Sequence, residues 1–92
     1  MNNYPKGEIT PFLCRLGREA AGWSQQQLAE AVRVTKKTIA SFETGRTNPQ
    51  RRTLEDIQTA LEAQGVEFIP AGAYQGEGGP GVRLRAAPSA ES

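Results

Sequence analysis

Apolar positions recur at helical spacing through roughly the first 65 residues and then change to alternation, a pattern that predicts several helices followed by short strands. Thr10 ahead of Pro11 is a capping hydroxyl before a proline at the first helical position, and it opens a helix from Pro11 to about Ala21. Ser24 with Gln27 three positions on forms a capping box for a second, short helix carrying Leu28, Ala29 and Val32 and ending near Val32. Thr35 caps a third, which turns Ile39 and Phe42 to one face, keeps Lys36, Lys37, Thr38 and Ser41 off it, and stops at Gly45. Asn48-Pro49 marks Arg46 to Arg52 as a loop. Thr53 then caps a fourth helix, where Leu54, Ile57 and Leu61 repeat until Gly65 closes it.

Val66 to Ile69 alternates in part and Val82 to Arg85 alternates strictly, so both read as short strands. Between them Pro70 to Gly81 holds five of the ten glycines and two of the six prolines, a composition suited to a mobile connection. If the strands pair antiparallel, Val66, Phe68, Val82 and Leu84 share one face, with Glu67, Ile69, Arg83 and Arg85 on the other. Glu67 then faces an arginine. Residues 1–9 read as a flexible lead and 87–92 as a frayed tail, leaving a folded unit at 10–65 and a hairpin at 66–86.

At 92 residues and 23% charged positions the chain is one small domain with appendages, too short for a two-domain enzyme. It has no histidine and one cysteine, Cys14, which removes Cys/His zinc sites, histidine-based triads and internal disulfides. No cofactor is implied, and the expectation is a protein that is not an enzyme. No apolar run approaches the roughly 20 residues of a membrane span, and the start MNNYPKGEITP lacks the basic and apolar run of a secretory signal, so the chain reads as cytoplasmic with no membrane partner.

Two short helices joined by a turn, Ser24 to Phe42, have helix-turn-helix spacing, with Ala29 small enough for a close crossing and Leu28, Val32, Val34, Ile39 and Phe42 forming a shared core. Through CRLGREAAGWSQQQLAEAV, VTKKTIASFETGRTNP and TLEDIQTAL, the chain resembles the lambda-repressor and Cro type of helix-turn-helix regulator, the XRE family. Its GVEFI and GPGVRLR segments, Gly65 to Ile69 and Gly79 to Arg85, resemble those of a group of small bacterial members. The fold the resemblance implies is mostly α, a four-helix lambda-repressor-like domain at 10–65 followed by a two-stranded β-hairpin. One departure stands in the turn, where the family usually has glycine and this chain has Arg33, at a cost of about 1 kcal/mol.

Charge that nearly cancels overall is separated locally. From Arg33 through Arg52 six basic residues face the single acid Glu43, a net of +5, whereas Thr53 through Glu67 has four acids and no base. A basic face carrying the third helix would meet phosphates, each neutralised contact adding roughly 0.9 to the log-log salt slope. The start of that helix offers Thr35, Lys36, Lys37, Thr38 and, a turn on, Ser41 to base edges. Family correspondence puts Lys36, Lys37 and Ser41 at base-reading positions, and lysine donating to guanine implies a half-site with a G·C pair. The resemblance places Gln25 on a phosphate. Thr44, Arg46, Arg51 and Arg52 follow the reading helix and are further phosphate candidates. It also makes Arg18 and Glu43 a structural ion pair between the first helix and the end of the third.

Plainer readings compete at each position. Adjacent lysines alone are an ordinary solvated face, and Gln25 an ordinary first-turn polar residue. Cys14 reads as a small core residue and Trp23 as a core plug, while the Gly76 to Gly81 run lacks the Lys-Ser/Thr pair of a phosphate loop. A two-stranded hairpin is marginal alone, so its apolar face, Val66, Phe68, Val82 and Leu84, is expected to meet a second copy in a twofold dimer reading a palindrome. Packing of the strands onto their own helices is the alternative. The partners expected are therefore double-stranded DNA and a second copy, as repressor or activator, in a bacterial cytoplasm. The competing function is an antitoxin or adaptor whose C-terminal extension binds a toxin or antiactivator.

Overall fold

The computed structural model describes residues 4–70 and 81–84. Four helices come first, α1 (Pro11–Ala20), α2 (Gln25–Val32), α3 (Lys36–Glu43) and α4 (Arg51–Ala63), and then two strands, β1 (Val66–Ile69) and β2 (Gly81–Leu84). The connection at 71–80, the expected strand end Arg85 and the tail 87–92 lie outside the described residues, as do residues 1–3.

Local side-chain chemistry sets the first three helix starts. Thr10, Ser24 and Thr35 each accept from the backbone amide three residues on, and Gln27 returns a bond to the Ser24 amide, closing the capping box. The fourth start differs from its expectation. α4 begins at Arg51 after Gln50, which makes no side-chain cap, so Thr53 sits inside the first turn and does not cap it. Arg51 and Arg52 are consequently helical rather than part of the preceding loop. The added turn is held by a contact distant in sequence: the Arg51 Nη2 donates to the Lys6 carbonyl at 2.7 Å.

The core gathers Leu13 and Cys14 of α1, Leu28 and Ala29 of α2, Ile39 and Phe42 of α3, Leu54, Ile57 and Leu61 of α4, and Val66 and Phe68 of β1. Gly17 lets α1 and β1 approach closely, because a Cβ there would come within a tight 3.2 Å of the Phe68 ring and 3.3 Å of Leu61. The strands pair antiparallel with Val66 opposite Leu84, Glu67 opposite Arg83 and Phe68 opposite Val82. Glu67 and Arg83 close a 2.7 Å ion pair on the outer face.

Two expectations change here. The lead is not loose from Tyr4 onward: Ile9 is buried in the core, and the buried side chain of Gln58 on α4 accepts from the Gly7 amide at 2.9 Å and donates to the Tyr4 carbonyl at 3.1 Å. Lys6 adds a 2.6 Å pair to Glu62. The hairpin also turns inward. Val66 and Phe68 are buried against α1 and α4 of the same chain, and Val82 packs partly on that core, so the first two cannot form an exposed dimer face. Of the four residues expected there, only Leu84 stays largely exposed.

Candidate nucleic-acid interface

α2 and α3 are neighbours across a turn of three residues, Arg33 to Thr35. Arg33 takes the left-handed conformation, φ 63° and ψ 42°, and the amides of Arg33 and Val34 bond back to Glu30 and Ala29. That single reversal ends α2 and redirects the chain so that Thr35 starts α3. Ile39 and Phe42 then point into the core, which leaves Thr35, Lys36 and Lys37 exposed and Thr38 and Ser41 half-buried at the rim.

Within this group the hydroxyl of Thr35 is the helix cap and lies 3.0 Å from that of Thr38. Lys36 and Lys37 have no ion-pair partner among the described residues. Lys37, Ser41, Thr44 and Arg46 line an open depression along the outer side of α3, with Ala40 as its apolar floor. The Thr44 hydroxyl donates to the carbonyls of Ala40 and Ser41 at 3.1 and 3.2 Å, so it offers a passing anion only lone pairs. Arg46 and Arg52 are exposed. The Arg51 guanidinium is instead engaged, with Lys6 as above and with Glu55 at 3.3 Å, which makes it a tie between the lead and α4.

Behind the exposed face lies a buried polar cluster. The Glu43 side chain is only 4% exposed and accepts from four donors: Arg18 Nε at 2.8 Å, Arg18 Nη2 at 3.1 Å, Gln25 Nε2 at 3.1 Å and the Cys14 thiol at 3.5 Å. The remaining Arg18 nitrogen, Nη1, donates to the Trp23 carbonyl at 2.8 Å, so one guanidinium joins α1, the turn after it and α3. Burial pushes the Glu43 carboxyl upward, but hydrogen bonds from Arg18 and Gln25, with the charge of Arg18, outweigh it and hold the carboxyl below its ordinary range. Burial, reinforced by the charge of Glu43, pushes the Cys14 thiol far above the ordinary thiol range, which fits a packing residue and not a reactive thiolate.

Since Arg18 neutralises Glu43, the only acid between Arg33 and Arg52, the outward face of α3 and its flanks is cationic. Gln25, at the start of α2, donates one of its two amide hydrogens to Glu43 and so ties α2 to the end of α3. The Gln25 and Cys14 bonds to Glu43 were not read from the sequence. A signal was present in the four-residue spacing of Cys14 and Arg18, which puts both on one side of α1.

Among the described residues no three acidic, cysteine or histidine side chains gather as a metal site, and no helix is long and apolar enough to cross a membrane. A family model for a helix-turn-helix domain matches residues 15–68, more than half of the chain. No curated protein matches the sequence.

Proposed function

This chain belongs to the helix-turn-helix domain family, whose members bind DNA, and from that premise we propose that it is a sequence-specific transcriptional regulator of the lambda-repressor and Cro type. In this reading it binds an inverted-repeat operator as a homodimer, with α3 of each copy in a major groove and the two helices about 34 to 36 Å apart. It acts by occupancy and not by turnover.

The observation that carries the reading is the exposed pair Lys36 and Lys37, without an ion-pair partner among the described residues, at the start of a helix braced from behind by Arg18, Glu43 and Gln25. Such a helix presents cations in a fixed geometry, and fixed geometry is what distinguishes base readout from general attraction to phosphate. Lys36, Lys37 and Ser41 read base edges, with Thr35 and Thr38 bordering them; a lysine at guanine O6 and N7 selects a G·C pair by about 1 to 3 kcal/mol. Arg46, Arg52 and Gln25 hold the backbone on either side.

Enrichment of bound sequences from a random duplex pool at fixed ionic strength tests this. The expected product is an inverted repeat containing G·C in each half-site, and Lys36→Ala with Lys37→Ala is expected to erase the preference while the helical circular dichroism is retained. A pool that emerges unenriched at low salt overturns it.

A further inference from the structure

The outward face of α3 is not uniformly polar. Ile39 and Phe42 point into the core, so the side opposite them carries Lys37, Ala40, Ser41 and Thr44. Ala40 stands half-buried in the middle of that side, as the apolar floor of a depression whose other walls are Lys37, Ser41, Thr44 and Arg46. Two of those walls are cations and none is an acid. The Thr44 hydroxyl, one turn beyond Ala40, gives its hydrogen back to the helix at the Ala40 and Ser41 carbonyls. At its floor, then, the depression offers a methyl group beside a hydroxyl whose donor is spent.

We propose that Ala40 is a specificity-determining residue that receives the 5-methyl group of a pyrimidine in the major groove; the inference rests on the DNA-binding reading and names the base feature that this part of α3 selects. A cavity with an apolar floor and cationic rims fits an apolar projection flanked by anions. In duplex DNA the 5-methyl of a pyrimidine is that projection, with phosphates along both edges of the groove. A side chain as short as alanine lets the helix backbone come close to the base edge while Lys37 and Ser41 reach past it. Ser41, the next residue, serves the exocyclic group beside the methyl, since a hydroxyl donates to O4 of thymine and accepts from N4 of 5-methylcytosine. The methyl group therefore decides, whichever of the two bases carries it. RNA is no substitute, because its major groove is too narrow for side chains and its uracil lacks the methyl.

The duplex enriched from the random pool is remade with deoxyuridine in place of thymine, one position at a time, and affinities are measured at fixed ionic strength. One thymine in each half-site is expected to lose about fourfold in affinity with its methyl, the worth of one buried methyl group. At the same position 5-methylcytosine is expected to bind about fourfold tighter than cytosine. Ala40→Gly is expected to abolish both ratios, and Ala40→Val, which fills the floor, to favour the unmethylated base. Each ratio is taken within one variant, so a loss of helix stability in Ala40→Gly cancels from it. A methyl preference shown by thymine alone and abolished in Ala40→Gly upholds Ala40 and names thymine as the source. Selective binding indifferent to the methyl at every pyrimidine, or a methyl preference that survives in Ala40→Gly, overturns the proposal and leaves the DNA reading standing. A wild-type chain that prefers no duplex over another refutes the DNA reading, and the proposal with it.

Discussion

Arg18 on α1 and Glu43 on α3 are joined by two hydrogen bonds, Nε to Oε2 at 2.8 Å and Nη2 to Oε1 at 3.1 Å, so the helix that begins with Lys36 and Lys37 is fastened at its far end to the first helix. The carboxylate is satisfied from every side, and removing Arg18 strands a buried charge. Arg18→Met is therefore expected to lower unfolding free energy in urea by about 3 to 5 kcal/mol.

The same pair sets an acid response. Because the Glu43 carboxyl is held below its ordinary range in the folded chain, its stabilisation is fully present above the ordinary carboxylate range and is lost as pH falls through the lower folded value. Urea midpoints measured through that acid window are expected to fall more steeply in the wild type than in Glu43→Gln, which has no carboxyl to titrate there.

Arg33 bears the backbone cost of the turn with φ at 63°. Glycine relieves that strain but gives up unfolded-state restriction, so Arg33→Gly is expected to raise stability by up to about 1 kcal/mol. Arg33→Val is expected to lower it by more than about 1 kcal/mol, since a β-branched residue tolerates this region worst. Thermal unfolding of the two variants reads the difference in sign.

Gln58 is fully buried and serves the Gly7 amide, the Tyr4 carbonyl and Glu62 at once. Gln58→Met keeps the volume and removes the partners, leaving main-chain groups of the lead unsatisfied at about 1 to 3 kcal/mol each. Hydrogen exchange at the Gly7 amide is expected to quicken in that variant while the amides of α2 and α3 keep their relative protection.

The arginines after α3 are expected to separate by salt dependence. Arg46→Ala and Arg52→Ala each remove an exposed cation and are expected to reduce the log-log salt slope of DNA binding by roughly 0.9. Arg51→Ala is expected to leave that slope nearly unchanged and to loosen the lead, because its guanidinium already holds the Lys6 carbonyl.

What the sequence by itself determined is what neighbouring residues settle among themselves. Thr10 with Pro11, Ser24 with Gln27, and Thr35 each satisfy amides within three positions, so those helix starts were legible as local chemistry. The turn position of Arg33 came from the resemblance, and an arginine facing Glu67 was expected only if the strands paired, as they do with Arg83 opposite it. Tertiary structure decided the features whose partners lie far along the chain. α4 begins at Arg51, ahead of the expected cap Thr53, with Arg51 bonded to a carbonyl 45 residues earlier, and Gln58, a polar residue set in the apolar stripe of α4, has main-chain partners in the lead. The hairpin offered an apolar face that its own helices or a second copy could cover, and alternation alone does not choose between them. The tertiary structure chose its own helices: Val66 and Phe68 are buried against them, with the Phe68 ring close to Gly17 where a Cβ would make a tight contact.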